Sequence, residues 1–183
     1  SNKVLDAVVA AGATTAEQGQ AAAAGSQTVA GLIGDEAAII GEKIELRRVA
    51  VVEGEKIAIY MHQTSQDLPP QVGVVVGYAG SDDETARSVA MHISFADPQY
   101  LAREDVPAAE VEKERQIVTE ITRQEGKPEA QIEKIVEGRL AAFYKQVALL
   151  EQDYARDDKQ KVSKVLSDAG LTVSGFARFK VGA

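Results

Sequence analysis

Two histidines, His62 and His92, are the residues of this chain best suited to proton transfer near neutral pH. They lie 30 residues apart, with no Ser or Asp at a spacing that makes a nucleophile and base, and with no acidic ligand motif that would complete a metal site. His92, beside Met91 and Ile93 on an Ala-rich stretch, reads as a packed, hydrogen-bonded core histidine, and His62 as a histidine at a strand end. Cysteine is absent, which removes thiolate catalysis, disulfides and cysteine-ligated zinc together. The acidic clusters Asp82-Asp83-Glu84 and Asp157-Asp158 suit helix capping and solvation better than magnesium. Gly73-Val74-Val75-Val76-Gly77 lacks the following helix and the glycine pattern of a dinucleotide loop. Arg47-Arg48 sits in a stretch of two-residue period, so its side chains point to opposite faces and form no phosphate fork. The residues therefore predict no catalytic, cofactor or metal site. They point to a protein that is not an enzyme and that works by presenting surface to another protein.

Composition narrows the partner. The net charge of −8 argues against broad contact with a phosphate backbone, so no direct nucleic-acid ligand is expected. No apolar run is long enough to span a bilayer, and with 45% hydrophobic residues the 183-residue chain can bury a core. A soluble, cytoplasmic globular protein with no membrane contact is expected.

The elements that must position any such surface follow from periodicity. The first forty residues read as Ala-rich helical pieces: Val4, Leu5, Val8 and Val9 form one apolar face ended by Gly12, and Thr28 caps a helix that runs to Ile40 and stops at Gly41. Ile44 to Val52 alternates as a strand, Gly54 makes a turn, and Lys56 to His62 returns, with Ile57, Ile59 and Met61 on one face and Ala58 and Tyr60 on the other. A polar loop with Pro69-Pro70 leads to the Val-rich strand 73 to 79, whose continuous apolar character implies a central place or burial on both faces. Asp82-Asp83 caps a helix over Glu84 to Phe95, and Asp97-Pro98 closes it. Leu171 to Val181 is a last strand, expected to pair with the hairpin strands.

Val106 to Leu150 is the most distinctive stretch. It reads as two polar helices folded back around Gly126-Lys127-Pro128, with Val111, Val118 and Ile121 on the first arm. Ile132, Ile135, Val136, Leu140, Phe143, Val147 and Leu150 form a denser stripe on the second. An irregular segment then leads to a short helix from Lys161 to Ala169. The fold class is α+β: a small antiparallel sheet flanked by helices, with a protruding antiparallel, coiled-coil-like helical hairpin.

Eight blocks of this sequence occur in a recognisable order. They are Ile40-Gly41-Glu42 with Ile44 to Val49, Ala90-Met91-His92-Ile93, Tyr100-Leu101, Glu104-Asp105-Val106-Pro107, Val111-Glu112-Lys113-Glu114-Arg115, Glu125-Gly126-Lys127-Pro128-Glu129, Lys134 to Leu140, and Gly175-Phe176-Ala177-Arg178-Phe179. From about Lys3 to the end, their order and spacing resemble bacterial translation elongation factor Ts.

The resemblance implies a guanine-nucleotide exchange factor for the GTPase elongation factor Tu, acting in translation elongation. Such a factor distorts the magnesium and phosphate site of the GTPase so that GDP leaves, and needs no catalytic residue of its own. Ile40 and Gly41 match the family's contact with the nucleotide-binding domain of the GTPase, and His62 matches a histidine that touches a helix of that domain. The family's small N-terminal helical domain and its Thr-Asp-Phe-Val segment have no match here, which implies a C-terminal fragment deficient in exchange. By the same resemblance, residues 1–53 are the remainder of an N-terminal core subdomain. Residues 54–105 are the first part of a C-terminal core subdomain, 106–150 the helical hairpin, and 151–183 the closing helix and strand. An open edge on the strand from Ile44 invites self-association as a homodimer. The alternative reading is a structural module that dimerises through the hairpin at 106–150.

Overall fold

The computed structural model describes residues 2–63, 65, 67 and 69–181. Ser1, Thr64, Gln66, Leu68, Gly182 and Ala183 lie outside the described residues, so the expected polar loop before Pro69 is described only in part. The chain divides into two compact units, Ser1–Val51 and Val52–Ala183.

The first unit is built from short helices around a small core. Helix α1 (Asn2–Ala10) buries Ala7 and Val8 and ends before Gly12, which takes a φ of 60°. Helix α2 (Ala16–Ala21) is capped by the Thr15 hydroxyl, which accepts from the Gln18 N–H. Ala23 and Ala24, expected to be helical, instead form a short strand β1 that pairs with β2 (Gln27–Thr28), because Gly25 at φ 72° reverses the chain. Helix α3 (Val29–Ile40) begins with the Thr28 side chain accepting from the Gly31 N–H and stops at Gly41 in the left-handed conformation, as the sequence predicts. Ala7, Ala22 and Val29 close the core, with Val4, Ile33 and Leu46 packed on it.

The strand expected over Ile44 to Val52 is not formed: residues 43–54 have no regular structure. A strand exists only where a neighbour completes its ladder of backbone hydrogen bonds. Here the segment packs by side chains, Leu46 and Val49 sitting so close to Gly19 that a β-carbon there would meet them at 2.9 and 3.2 Å. Gly54 likewise makes no hairpin turn. Residues 53 and 54 cross the backbone of Gly77, where a β-carbon would lie 2.1 Å from the Glu53 carbonyl oxygen, and the Ser174 hydroxyl donates to that same oxygen.

The second unit holds a three-stranded antiparallel sheet in the order β3 (Lys56–His62), β4 (Val72–Ala79), β7 (Thr172–Lys180). The Val-rich strand is thus central, as its composition predicts. Among the described residues the last strand pairs with β4 alone, Val74 opposite Arg178 and Val76 opposite Phe176, with Ser174 as the extra residue where the register shifts. Ala58, Val74, Val76 and Tyr78 face inward onto helix α4 (Asp83–Ala96), whose Ala86, Val89, Ala90 and Ile93 are fully covered. Asp82 caps α4 by accepting from the Thr85 N–H, and Asp97 ends it at φ 48°. The opposite face carries Ile57, Ile59 and Met61, exposed by 45%, 54% and 55%. The larger apolar set of β3 therefore points outward, the reverse of what residue size alone favours.

The helical hairpin consists of α5 (Ala108–Gln124) and α6 (Glu129–Val147), joined through Gly126 at φ 70°. Its seam is Val118, Ile132, Val136 and Leu140, with Thr122 fully buried between them and its hydroxyl donating to the Val118 carbonyl. Ile121, expected in the seam, is 43% exposed. A step of four from Val118 leads to Thr122, whose hydroxyl is satisfied within its own turn, so the polar side chain takes the inner place. Tyr144, rather than Phe143, continues the stripe of α6. After α6 the chain is not irregular: a short turn of helix (Leu149–Glu151) leads to a hairpin of β5 (Asp153–Tyr154) and β6 (Asp157–Lys161), and then to α7 (Val162–Asp168). This hairpin and helix repeat the device of the first unit. In one the Val29 N–H donates to the Ala22 carbonyl, and in the other the Val162 N–H donates to that of Gln152.

Candidate functional site

The apolar tip of α3 is the first candidate surface. The helix carries Ile39 and Ile40 in its last turn, and the Gly41 N–H donates to the Ala37 carbonyl at 2.9 Å to close it. Glycine is required at this place because φ is 76°, a conformation that a side chain strains. The turn leaves Ile39 and Ile40 exposed by 80% and 56%. Isolated apolar residues on a surface are ordinary, but two adjacent large ones at a helix end make a compact knob. The family resemblance points to Ile40 and Gly41 and not to Ile39, the more exposed of the pair, for which the Ile-Ile doublet before Gly is the local signal.

His62 ends β3 in the second unit, half-buried, on the same face of the sheet as Ala58 and Tyr60. Its ring stacks on that of Tyr60 at 6.2 Å between centroids, and its Nδ1 lies 3.3 Å from the Tyr60 hydroxyl. Ile40 and Gly41 belong to one unit and His62 to the other.

His92 is the packed histidine that the sequence predicts, 2% exposed on α4. Its Nδ1 accepts from the Ala155 N–H at 3.2 Å, and its Nε2 lies 2.8 Å from Gln152 Oε1. Burial holds its pKa below the ordinary histidine value, and the hydrogen bond to Gln152 opposes part of that shift. Both ring nitrogens are thus occupied within the core.

Of the two acidic clusters only the first caps a helix; Asp157 and Asp158 lie in β6, where Asp157 accepts from the Lys159 N–H and from Gln160. Asp82 caps α4, and the backbone and hydroxyl of Thr85 hold its carboxyl below the usual carboxylate range. Asp83 accepts from Lys56 Nζ at 2.7 Å and from the Tyr78 hydroxyl at 2.9 Å, and these bonds lower its pKa. Among the described residues, no group of three or more His, Asp or Glu side chains is placed to hold a metal ion. No helix among them is long and apolar enough to cross a membrane. The surface thus carries an exposed apolar pair, Ile39 and Ile40, at the end of α3, and a half-buried His62 stacked on Tyr60 at the end of β3.

The whole chain, residues 1–183, matches the family model described as elongation factor TS. It is 74% identical over 183 residues to elongation factor Ts of Leifsonia xyli subsp. xyli, covering all of this chain and 66% of that protein. Elongation factor Ts of Clavibacter michiganensis is 69% identical over the same length, and that of Tropheryma whipplei 57% identical over 155 residues, 85% of this chain and 57% of its own length. The chain spans 66% of the length of the first two of these relatives.

Proposed function

The chain belongs to the elongation factor Ts family, and from that premise we propose that it binds the GTPase elongation factor Tu and promotes release of GDP. It would do so as a translation elongation factor in the cytoplasm, without catalysis of its own. A protein that holds the nucleotide-free GTPase more tightly than the GDP-bound one weakens GDP by the same factor, through linkage alone. The observation that carries the reading is the knob at the end of α3: Ile40 is 56% exposed beside the left-handed Gly41, at the positions that match the family's contact. Ile40 and Gly41 would dock on the nucleotide-binding domain, and His62, steadied by Tyr60, would meet a helix of the same domain.

These 183 residues contain no Thr-Asp-Phe-Val run. The chain alone is therefore proposed to bind the GTPase but to accelerate release weakly. Stopped-flow measurement of fluorescent GDP leaving elongation factor Tu, titrated with the chain, tests both parts. Saturable but modest acceleration is expected. No acceleration together with no binding would remove the reading, and acceleration equal to that of a full-length relative would remove the claim of deficiency.

Self-association is a second reading, favoured by the exposed Ile57, Ile59 and Met61 on the open face of the sheet. A second copy would cover that face rather than the hairpin, whose seam of Val118, Ile132, Val136 and Leu140 is already closed within one chain. Light scattering against concentration decides it, since a strictly monomeric chain excludes this pairing.

A further inference from the structure

The buried side chain of Gln152 joins the ends of two helices. Its Nε2 donates to the carbonyl of Gln146 in the last turn of α6 at 3.0 Å and to that of Ala96, the last residue of α4, at 3.5 Å. Carbonyls in a last turn have no partner within their own helix, so one amide satisfies an orphan acceptor on each. Its Oε1 lies 2.8 Å from His92 Nε2, and His92 Nδ1 accepts from the Ala155 N–H in the turn between β5 and β6. The direction of every bond is fixed by the two ends of this relay. A backbone N–H can only donate, so Nδ1 is the bare nitrogen, Nε2 carries the proton, and Gln152 must turn its oxygen to His92 and its NH2 to the carbonyls. With Gln152 6% and His92 2% exposed, water cannot readily replace either of these two side chains, whereas Ala155, which supplies the last donor, is exposed.

The relay ties three pieces: α4 under the sheet, the root of α6, and the β5–β6 turn. The hairpin that projects from this root is a lever. With 17 residues in α5 it is about 25 Å long, so a rotation of about 10° at the root moves the tip by about 4 Å. The other ties at the root lie nearer solvent, among them Lys145 with Asp153 and Tyr100 with Glu110.

We propose that the relay from Ala155 through His92 and Gln152 to the α4 and α6 carbonyls is a latch that sets the angle of the helical hairpin against the sheet. The latch accepts a single protonation state, because a second proton on His92 would set two donors against each other at Nδ1. The titratable groups on the surrounding elements are engaged elsewhere. Arg156 donates to Ser88 and Arg178 pairs with Asp97 at the end of α4. Lys145 pairs with Asp153, Lys161 with Glu151, and the Tyr154 hydroxyl meets Ser88.

The absence of cysteine makes the test direct. Spin labels are attached through Lys127→Cys at the hairpin tip and Glu84→Cys on α4, both exposed, and their distance distribution is measured by pulsed dipolar spectroscopy. Gln152→Met, which keeps the volume but removes both donors and the acceptor, is expected to broaden the distribution roughly twofold while far-ultraviolet dichroism is retained. Ser88→Ala removes the two hydrogen bonds of the Ser88 hydroxyl, with Tyr154 and Arg156, which lie outside the relay, and should leave the distribution narrow. If Gln152→Met does not fold, the unaltered labelled chain is acidified until the His92 imidazole signal titrates, assigned against His62→Gln. The distribution should broaden in step with that signal. A folded Gln152→Met with an unchanged distribution overturns the latch, as do equal broadening in Ser88→Ala and a distribution indifferent to His92 protonation.

Discussion

Arg139 and Glu125 face each other across the hairpin turn, with one guanidinium nitrogen 2.7 Å from both carboxylate oxygens. The bond to Arg139 is the main cause that holds the Glu125 carboxyl below its usual range. Both groups meet solvent, so the pair orders the turn locally and adds little to the whole fold. Arg139→Ala is expected to speed amide exchange around Gly126 and to leave the melting temperature of the chain almost unchanged. Slowed or unaltered exchange at the turn would contradict this.

Two glycines should respond in opposite directions. Gly138 lies within α6 with no atom beyond its chain neighbours and its own helix backbone within 4 Å of where a β-carbon would stand, so Gly138→Ala should stabilise the chain by about 1 kcal/mol. At Gly77 a β-carbon would lie 2.1 Å from the Glu53 carbonyl, a backbone atom that cannot turn aside. Gly77→Ala should cost roughly 2 kcal/mol or more. Urea midpoints of the two variants check both signs.

Leu140, 1% exposed, closes the hairpin seam with Val118, Ile132 and Val136. Leu140→Ala should cost about 2–5 kcal/mol through lost burial and the cavity left behind. Chemical denaturation measures it, and a change below about 1 kcal/mol would mean that the two arms do not depend on this seam.

His92 makes stability depend on pH with a definite sign. Its folded pKa lies below the ordinary value near 6.5, so its contribution is fully present above that value and is lost as pH falls below it. The urea midpoint should therefore drop between pH 7.5 and pH 5, by less in His92→Gln than in the unaltered chain. Equal drops in both would assign the effect to other groups.

Ile40 is exposed and supports no core, so Ile40→Ala should change stability by less than about 0.5 kcal/mol. If the α3 knob is the docking surface, affinity for elongation factor Tu should fall roughly tenfold. Binding by titration calorimetry decides it, and unchanged affinity would remove Ile40 from the contact.

Much of this molecule is written in local signals. Thr28 before α3, Asp82 before α4, Gly41 after α3 and Gly126 after α5 act through bonds and φ angles within a few residues, so they are legible without the fold. The steps of four in α6 and the Val-rich run of β4 are equally local. The order of eight short blocks was enough to indicate the family.

The rest depended on which elements meet. Ile44 to Val52 carries a strand's alternation but, among the described residues, has no ladder: the sheet consists of β3, β4 and the last strand and does not include it. Alternation on β3 was plain from the sequence, yet only α4 packing against Ala58 and Val76 decided that the smaller set faces inward and Ile57, Ile59 and Met61 outward. His92 could be read as a satisfied core histidine. Its partner Gln152, 60 residues further on, could not be read at all, since a hydrogen bond between distant side chains leaves no periodic trace. Caps and helical periods are properties of one stretch of backbone, whereas pairing, facing and buried polar contacts are choices between stretches, and those are made only when the chain folds.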